Sequence, residues 1–251
     1  MHAHFIEPML LQPIGRLPEG SQWLYELKLD GYRAIVFQTG GKAYLRSRND
    51  KDFTGRYPAI ASALSALPDE TVIDGEVVAT DETGKPSFNL LQNCGSSQTS
   101  LLYYVFDVLV IAGRDVTNEP LSVRRELLHR DIMPNLRDPV RESAILDASL
   151  ADLIQAVKAQ SLEGLVAKRR DSRYEPGQRS GAWAKMRVNQ TQEFVIGGYT
   201  LGGRTFDAVV FGYYDGPRLI YAVRTRNGFT PSSPKRCSGN SMGSRPPNAL
   251  L

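Results

Sequence analysis

The chain has 251 residues, of which 41% are hydrophobic and 23% are charged, and its net charge is +3. This composition is typical of a globular protein and excludes a disordered chain. No apolar run reaches the roughly 20 residues that a membrane-spanning helix needs. Cys94 and Cys237 are far apart and lack metal-ligand spacing. We therefore interpret them as free thiols of a cytoplasmic protein that binds no membrane.

In the first three quarters of the chain, helices are few and do not alternate regularly with strands. That pattern favours an α+β fold with largely antiparallel sheets over a doubly wound parallel sheet. Helical periodicity covers 57–67, 122–133 and 149–160, and Ser149 with Asp152 predicts an N-terminal capping box for the last of these. Segments rich in Val, Ile, Tyr and Phe predict strands at 22–28, 32–37, 71–79, 101–111 and 164–169.

The composition changes after Arg187. Three short strand candidates, 193–200, 208–214 and 219–225, are separated by Gly-rich turns and predict the start of a small barrel. Beyond them the chain is rich in Ser, Pro and Gly without apolar periodicity, which predicts disorder. We therefore expect a first domain at 1–190, a partial barrel at 191–230 and a disordered tail at 231–251.

The most informative segment for chemistry is 26–33, Glu-Leu-Lys-Leu-Asp-Gly-Tyr-Arg. It places Lys28 between two carboxylates, beside a tight turn, with Arg33 five residues further on. The chain has no Walker-type loop and no G-x-G-x-x-G turn, so any phosphate must be held by side chains. On this segment alone, a surface hairpin with an Asp-Gly turn is at least as good an interpretation.

Other polar residues inside apolar strands weaken the hairpin interpretation. Carboxylates in such strands are costly unless they are paired or bind a cation. The segments are Asp-Gly-Glu-Val-Val at 74–78, Phe-Asp at 106–107, Glu-Gly-Leu-Val-Ala-Lys at 163–168 and Trp-Ala-Lys-Met-Arg at 183–187.

Together these segments resemble the covalent nucleotidyltransferases: ATP-dependent DNA ligases, RNA ligases and mRNA capping enzymes, whose first motif is K-x-D-G-x-R. The resemblance covers about 8–230, and the string Glu-Phe-Val-Ile-Gly-Gly-Tyr-Thr at 193–200 is similar to that of bacterial end-joining DNA ligases. It implies an antiparallel-sheet adenylation domain followed by an OB-fold barrel.

The resemblance also implies roles for individual residues. Lys28 attacks the α-phosphate of ATP, Glu26 reads the adenine amino group and Phe106 stacks on adenine. Arg187 replaces the second lysine of a Trp-x-Lys-x-Lys motif and keeps its positive charge. Arg33 and Arg48 are implied to contact the nucleotide and the nick phosphate, and Glu76 to hold the ribose or a metal ion. Glu163 is implied to coordinate the catalytic Mg²⁺. The residues implied to bind the phosphates are Arg179, Lys185 and Arg187.

The implied reaction has three phosphoryl transfers: AMP moves from ATP to Lys28, then to the 5′-phosphate of a DNA break, and the 3′-hydroxyl displaces it. Positioning and electrostatics carry most of such catalysis. The expected partner is nicked or broken duplex DNA, gripped through its backbone, together with end-joining or repair proteins. We expect a bacterial cytoplasmic monomer that associates with the nucleoid when bound to DNA.

Two other functions fit parts of the sequence. One is a sister enzyme, an RNA ligase or a GTP-using capping enzyme, and the other is a non-catalytic nucleic-acid-binding fragment. The family's last motif, a basic stretch on the barrel, has no match, since Lys235 and Arg236 lie in the Ser/Pro/Gly tail. A truncated or altered C-terminus explains this, and we expect the chain to react poorly with ATP yet seal a nick that already carries AMP.

Overall fold

The computed structural model describes residues 2–92, 100–188, 194–202 and 205–226. The chain divides into two compact units, Met1–Gln190 and Thr191–Leu251. Both cysteines and the predicted disordered tail at 231–251 lie outside the described residues. Within the described ranges, every helix is too short or too polar to cross a membrane.

One sheet of the first unit has four strands. They are β1 (Gln12–Pro13), β2 (Trp23–Leu27), β9 (Gly164–Arg169) and β10 (Trp183–Arg187). Their spatial order is β1-β10-β9-β2, and every pair is antiparallel except the short pairing of β1 with β10. The predicted strands at 22–28 and 164–169 are therefore neighbours through β2 and β9.

The second sheet is larger and is built around three long strands. Its members are β3 (Tyr32–Thr39), β4 (Lys42–Ser47), β5 (Thr71–Thr80), β6 (Ser100–Ile111) and β7 (Arg114–Asp115), in the order β4-β3-β5-β6-β7. A short β8 (Val140–Glu142) adds in parallel to β6. The antiparallel α+β prediction is confirmed. The sequence did not predict β4, because Leu45 is the only buried hydrophobic side chain of this strand, whereas Lys42 and Tyr44 are exposed.

Four α-helices accompany the sheets in the described part of the first unit: α1 (Pro58–Leu64), α2 (Phe88–Gln92), α3 (Leu121–Leu127) and α4 (Leu150–Ala159). The backbone N–H of Asp152 donates to Ser149 Oγ, which confirms the predicted cap. The helix predicted at 122–133 is α3 followed by a π-helical turn, Leu128–Ile132. The wider turn brings Leu128 and Ile132 into the core together.

Side chains alternate between the two faces of each strand, so every strand contributes to two layers. On β3, Ala34 and Val36 pack into the core on the side of α1, whereas Ile35 points toward the other sheet. A third cluster covers the far face of the four-stranded sheet beneath α4. The layer between the sheets contains Leu24, Ile35, Val72, Phe106, Leu109 and Trp183.

The second unit contains a three-stranded antiparallel sheet. Its strands are β11 (Val195–Gly202), β12 (Thr205–Asp215) and β13 (Arg218–Thr225), paired in chain order. All three strands predicted for this region are present. Their assignment to an OB-fold stays a prediction.

Candidate active site

Lys28 lies where the chain passes from one sheet to the other. It follows β2, which pairs with β9, and precedes β3, which pairs with β4 and β5. The segment is therefore a crossover and not the surface hairpin that the Asp-Gly turn alone suggests. The backbone N–H of Lys28 donates to the carbonyl of Gly164 at 3.0 Å, which ties the crossover to the start of β9.

Gly31 is required at this crossover for steric reasons. A Cβ atom added there would lie 2.2 Å from the carbonyl oxygen of Val77 and 2.9 Å from Cγ of Glu76. The backbone of β5 cannot yield as a flexible side chain can. The crossover is thus pressed against β5, which fixes the distance of Lys28 from the residues of that strand.

A cleft between the two sheets collects most of the predicted site residues. The period of two in each strand explains this grouping, because Glu26 on β2, Glu76 on β5 and Lys185 on β10 all point inward. Glu163 and Arg187 adjoin the cleft through ion pairs with residues of this group and with each other. The predicted residues that line the cleft itself are Glu26, Lys28, Arg33, Arg48, Glu76, Phe106, Arg179 and Lys185.

At the mouth of the cleft, one carboxylate holds two cations. Glu163 accepts hydrogen bonds from Nζ of Lys28 and from Nε of Arg187, the latter at 3.1 Å. Burial lowers the pKa of Lys185, and the neighbouring charges of Lys28, Arg187 and Arg179 lower it further. Asp30 is a second carboxylate here, and burial and the charge of Glu163 raise its pKa. The four cations outnumber these two carboxylates, which makes an electropositive mouth that suits a polyphosphate.

Deeper in the cleft, Glu26 has one oxygen bound and one without a partner. Its side chain is only 4% exposed. Oε2 accepts from Nζ of Lys168 at 2.9 Å and from Oγ of Ser143 at 3.4 Å, whereas Oε1 has no hydrogen-bond partner among the described residues. A buried acceptor without a partner is costly, so Oε1 fits a donor group supplied by a ligand.

Phe106 enters the cleft through an irregularity in β6. Asp74 pairs with Asp107 and Gly75 pairs with Val105, so Phe106 is the extra residue of a β-bulge. Bulges re-aim side chains and are common beside active sites. Asp107, fully buried, is held by two hydrogen bonds from Arg124, at 2.9 and 2.8 Å. Apart from an aspartate in an apolar strand, no local sequence pattern predicts the bulge.

Arg33 lines the cleft, but its guanidinium is engaged with protein groups. It donates to both oxygens of Asp74, at 2.9 and 2.5 Å, and to the carbonyl oxygen of Met9 at 2.7 Å. Asp74 also accepts from the hydroxyl of Tyr174 at 2.6 Å. This network joins β3, β5 and the N-terminal segment. The predicted contact of Arg33 with the nucleotide or the nick phosphate stays a prediction.

Two carboxylates of the site have the chemistry of magnesium ligands. Glu163 lies at the mouth, and Glu76 lies half-buried on β5, where burial raises its pKa to about 7 against the opposing charges of Arg33 and Lys28. Within the described ranges, no three His, Cys, Asp or Glu side chains are grouped as metal ligands. Mg²⁺ prefers oxygen ligands and accepts one or two carboxylates plus phosphate oxygens, so these two residues fit it.

Two polar residues of the cleft received no role from the sequence, Lys168 and Ser143. Lys168 was detectable, because alternation along β9 places it on the same face as Val166, which also lines the cleft. Ser143 lies just after β8 and carries no sequence signal. Both residues contact Glu26.

The cleft offers a buried acceptor and an aromatic ring for a base, and cations for phosphates. Lysine is an established nucleophile for covalent catalysis, and Lys28 lies among the cations at the mouth of this cleft. Fold and site together define the class of nucleotidyltransferases that act through a lysine.

Comparison with known proteins narrows this class. The model of the ATP dependent DNA ligase domain matches residues 8–187. The chain therefore belongs to the ATP-dependent DNA ligase family. This agrees with the resemblance that the motifs indicated.

Individual relatives are similar over most of the chain. It is 37% identical to the multifunctional non-homologous end joining protein LigD of Pseudomonas aeruginosa over 242 residues, which cover 92% of this chain and 28% of LigD. It is 30% identical to DNA ligase C2 of Mycolicibacterium smegmatis, with 87% of this chain and 64% of that protein covered. The chain thus spans under a third of the length of that LigD.

A solved structure, a mycobacterial DNA ligase D complexed with ATP and MES, matches with a TM-score of 0.67 and 33% identity. The match covers 94% of this chain and 77% of the other chain.

Proposed function

We propose that this chain joins DNA strands by carrying AMP on Lys28. The observation that carries the proposal is the position of Lys28: it is fixed at the sheet crossover, lines the cleft and lies among the cations of its mouth. Covalent transfer needs a nucleophile held against a phosphate, and positioning supplies much of the rate enhancement for such reactions.

The first step would form a bond between Nζ of Lys28 and the α-phosphorus of ATP while the bond to pyrophosphate breaks. The amine must lose a proton before it attacks. The carboxylate of Glu163 contacts Nζ and is within reach of that proton. Lys185, Arg187 and Arg179 would balance the charge on the phosphates.

The base end of the cleft would hold adenine. Oε1 of Glu26, buried and without a partner, would accept from the adenine amino group, while Phe106 stacks on the ring. The alternative of a GTP-using capping enzyme fits less well, since guanine presents an acceptor at the equivalent position.

Magnesium would be held by Glu163 and Glu76 together with phosphate oxygens. When bound, it neutralises charge on the phosphates and polarises the phosphoryl oxygens. The protein's own side chains would still orient Lys28 and remove its proton.

The substrate would be nicked or broken duplex DNA, and the cellular role would be end joining. The support is the similarity to LigD, whose name states end joining, over 92% of this chain. A ligase of this kind would work beside other end-joining proteins in the bacterial cytoplasm.

Sealing of a labelled nicked duplex tests the proposal. With ATP and Mg²⁺ the wild-type chain should seal the nick slowly, because it reacts poorly with ATP, and the Lys28→Ala variant should not seal it at all. On a nick that already carries AMP, both should seal, because Lys28 acts as nucleophile only in the first step. Failure of the wild-type chain on both substrates would contradict the proposed function, whereas sealing of the AMP-carrying nick alone would support the expected weak reaction with ATP.

A further inference from the structure

The two carboxylate oxygens of Glu26 differ in their hydrogen-bond partners. Oε2 is bound by Lys168 and Ser143, whereas Oε1 is buried without a hydrogen-bond partner among the described residues, and the residue as a whole lines the cleft. The carboxylate is thus anchored through one oxygen and unpaired at the other. Something must hold it in this orientation, because a glutamate side chain has several rotamers.

Lys168 is a buried cation with one carboxylate partner. Its side chain is 3% exposed, and its Nζ lies 2.9 Å from Oε2 of Glu26. The same Nζ lies 4.1 Å from the ring centroid of Phe106 and 4.5 Å from that of Trp183. Two aromatic rings and one carboxylate therefore fix the position of this ammonium.

The ion pair determines what Glu26 can recognise. An ionised carboxylate only accepts hydrogen bonds, whereas a protonated one also donates. In a buried site, a neighbouring cation favours the charged form. Adenine presents an amino donor at C6, and guanine presents an acceptor oxygen there. A carboxylate oxygen held against the base at this position therefore accepts from adenine and repels guanine.

Resting on the proposed function, we propose that Lys168 is a positioning residue that determines nucleotide specificity: its ion pair with Oε2 fixes the orientation of the Glu26 carboxylate, so that the site takes adenine and rejects guanine. Lys168 acts through Glu26 and carries out no chemical step. Ser143, hydrogen-bonded to the same oxygen, supports the orientation.

A second buried cation, Arg125, lies near this ion pair. Burial lowers the pKa of Lys168, and the nearby Arg125 lowers it further, whereas Glu26 opposes both. Arg125 is itself buried, and its Nε and one terminal nitrogen have no hydrogen-bond partner among the described residues. A second cation behind the ion pair adds positive potential around Glu26.

Equilibrium binding of ATP and of GTP to the whole chain tests the proposal. The wild-type chain should bind ATP far more tightly than GTP, since sites built to hydrogen-bond one group reject an analogue without it by up to about 10⁴- to 10⁵-fold. Lys168→Met should lower the ratio of the two affinities at least tenfold, mainly by weakening ATP binding. Lys168→Arg should retain most of the selectivity, because it keeps the cation.

Two further variants separate specificity from stability. Lys168→Met leaves a buried carboxylate unpaired and should lower the melting temperature, whereas Lys168→Met with Glu26→Gln removes that charge and should recover it. The double variant should still discriminate poorly, since an amide can donate to guanine. Arg124→Met removes a different buried cation, paired with Asp107, and should reduce stability without changing the affinity ratio.

A folded Lys168→Met variant with the wild-type ratio of affinities would overturn the inference, and so would an equal loss of selectivity in Arg124→Met. If the wild-type chain binds neither nucleotide, the proposed function itself fails. Failure of the inference and failure of the proposed function are therefore distinguishable, because the inference can fail only if the wild-type chain binds ATP selectively.

Discussion

Replacing Gly31 by alanine should misplace Lys28 with little effect on the rest of the fold. The added Cβ would lie 2.2 Å from the carbonyl oxygen of Val77, whereas real Cβ atoms essentially never approach closer than 3.0 Å. Because the obstacle is backbone of the central strand β5, the crossover has to move by about 1 Å. A misplacement of this size costs roughly 10²-fold in rate when it affects a reacting group.

The assay is the rate of AMP transfer from labelled ATP to Gly31→Ala, compared with the wild type, together with thermal unfolding. We expect a rate about 100-fold lower and a loss of roughly 1 to 3 kcal/mol in stability from overpacking. Gly55→Ala is the matched control, because a Cβ there meets nothing within 4 Å. Wild-type transfer by Gly31→Ala would refute the idea that contact with β5 positions Lys28.

Three further predictions concern other residues of the cleft. Asp74→Asn should lower the free energy of unfolding in urea by about 3 to 5 kcal/mol, because it leaves the buried Arg33 without its charged partner. Asp171→Asn changes an exposed ion pair and should leave the unfolding midpoint unchanged. Equal effects of the two substitutions would contradict this prediction. In metal-free protein, the raised pKa of Glu76 means that the folded state retains a proton that the unfolded state releases between about pH 4.5 and 7, so stability falls as pH rises through this window. Glu76→Gln has no ionisable group at this position and so lacks this loss of stability. The difference in unfolding free energy between Glu76→Gln and the wild type should therefore be about 1 to 2 kcal/mol more in favour of the variant at pH 8 than at pH 4.5, allowing for partial solvent exposure. The same difference at both pH values would exclude an effect of burial on Glu76. Finally, fluorescence anisotropy with nicked duplex should show affinity falling steeply with salt, and Arg48→Ala should reduce the log–log slope by about 1 if Arg48 binds a phosphate; an unchanged slope would remove it from the DNA contact.

Much of the fold and most of the cleft could be predicted from the sequence. The apolar runs of β3, β5 and β9 are nearly continuous, because each strand packs against a layer on either face. The period of two along each strand places Glu26 and Lys185 on inward faces, so residues that are far apart in the sequence line the same cleft. The assigned roles of these residues remain predictions.

Other features depend on tertiary contacts that no local pattern encodes. The edge strand β4 has only one buried hydrophobic side chain, Leu45, and therefore lacks an apolar pattern in the sequence. The bulge that turns Phe106 into the cleft arises from the register between β5 and β6, a long-range pairing. The pairing of Arg33 with Asp74 joins residues 41 positions apart, so the sequence offered Arg33 only as a cation available to phosphate.

The central claim, that Lys28 is the residue that carries AMP, is tested most directly by locating the modification. The whole chain would be incubated with ATP and Mg²⁺, digested with a protease, and analysed by mass spectrometry for peptides that carry the mass of AMP. We expect the added mass on Lys28 alone, with none on Lys168 or Lys185, and its loss on treatment with pyrophosphate, which reverses the transfer. AMP on a different lysine, or the same adduct in the Lys28→Ala variant, would contradict the account.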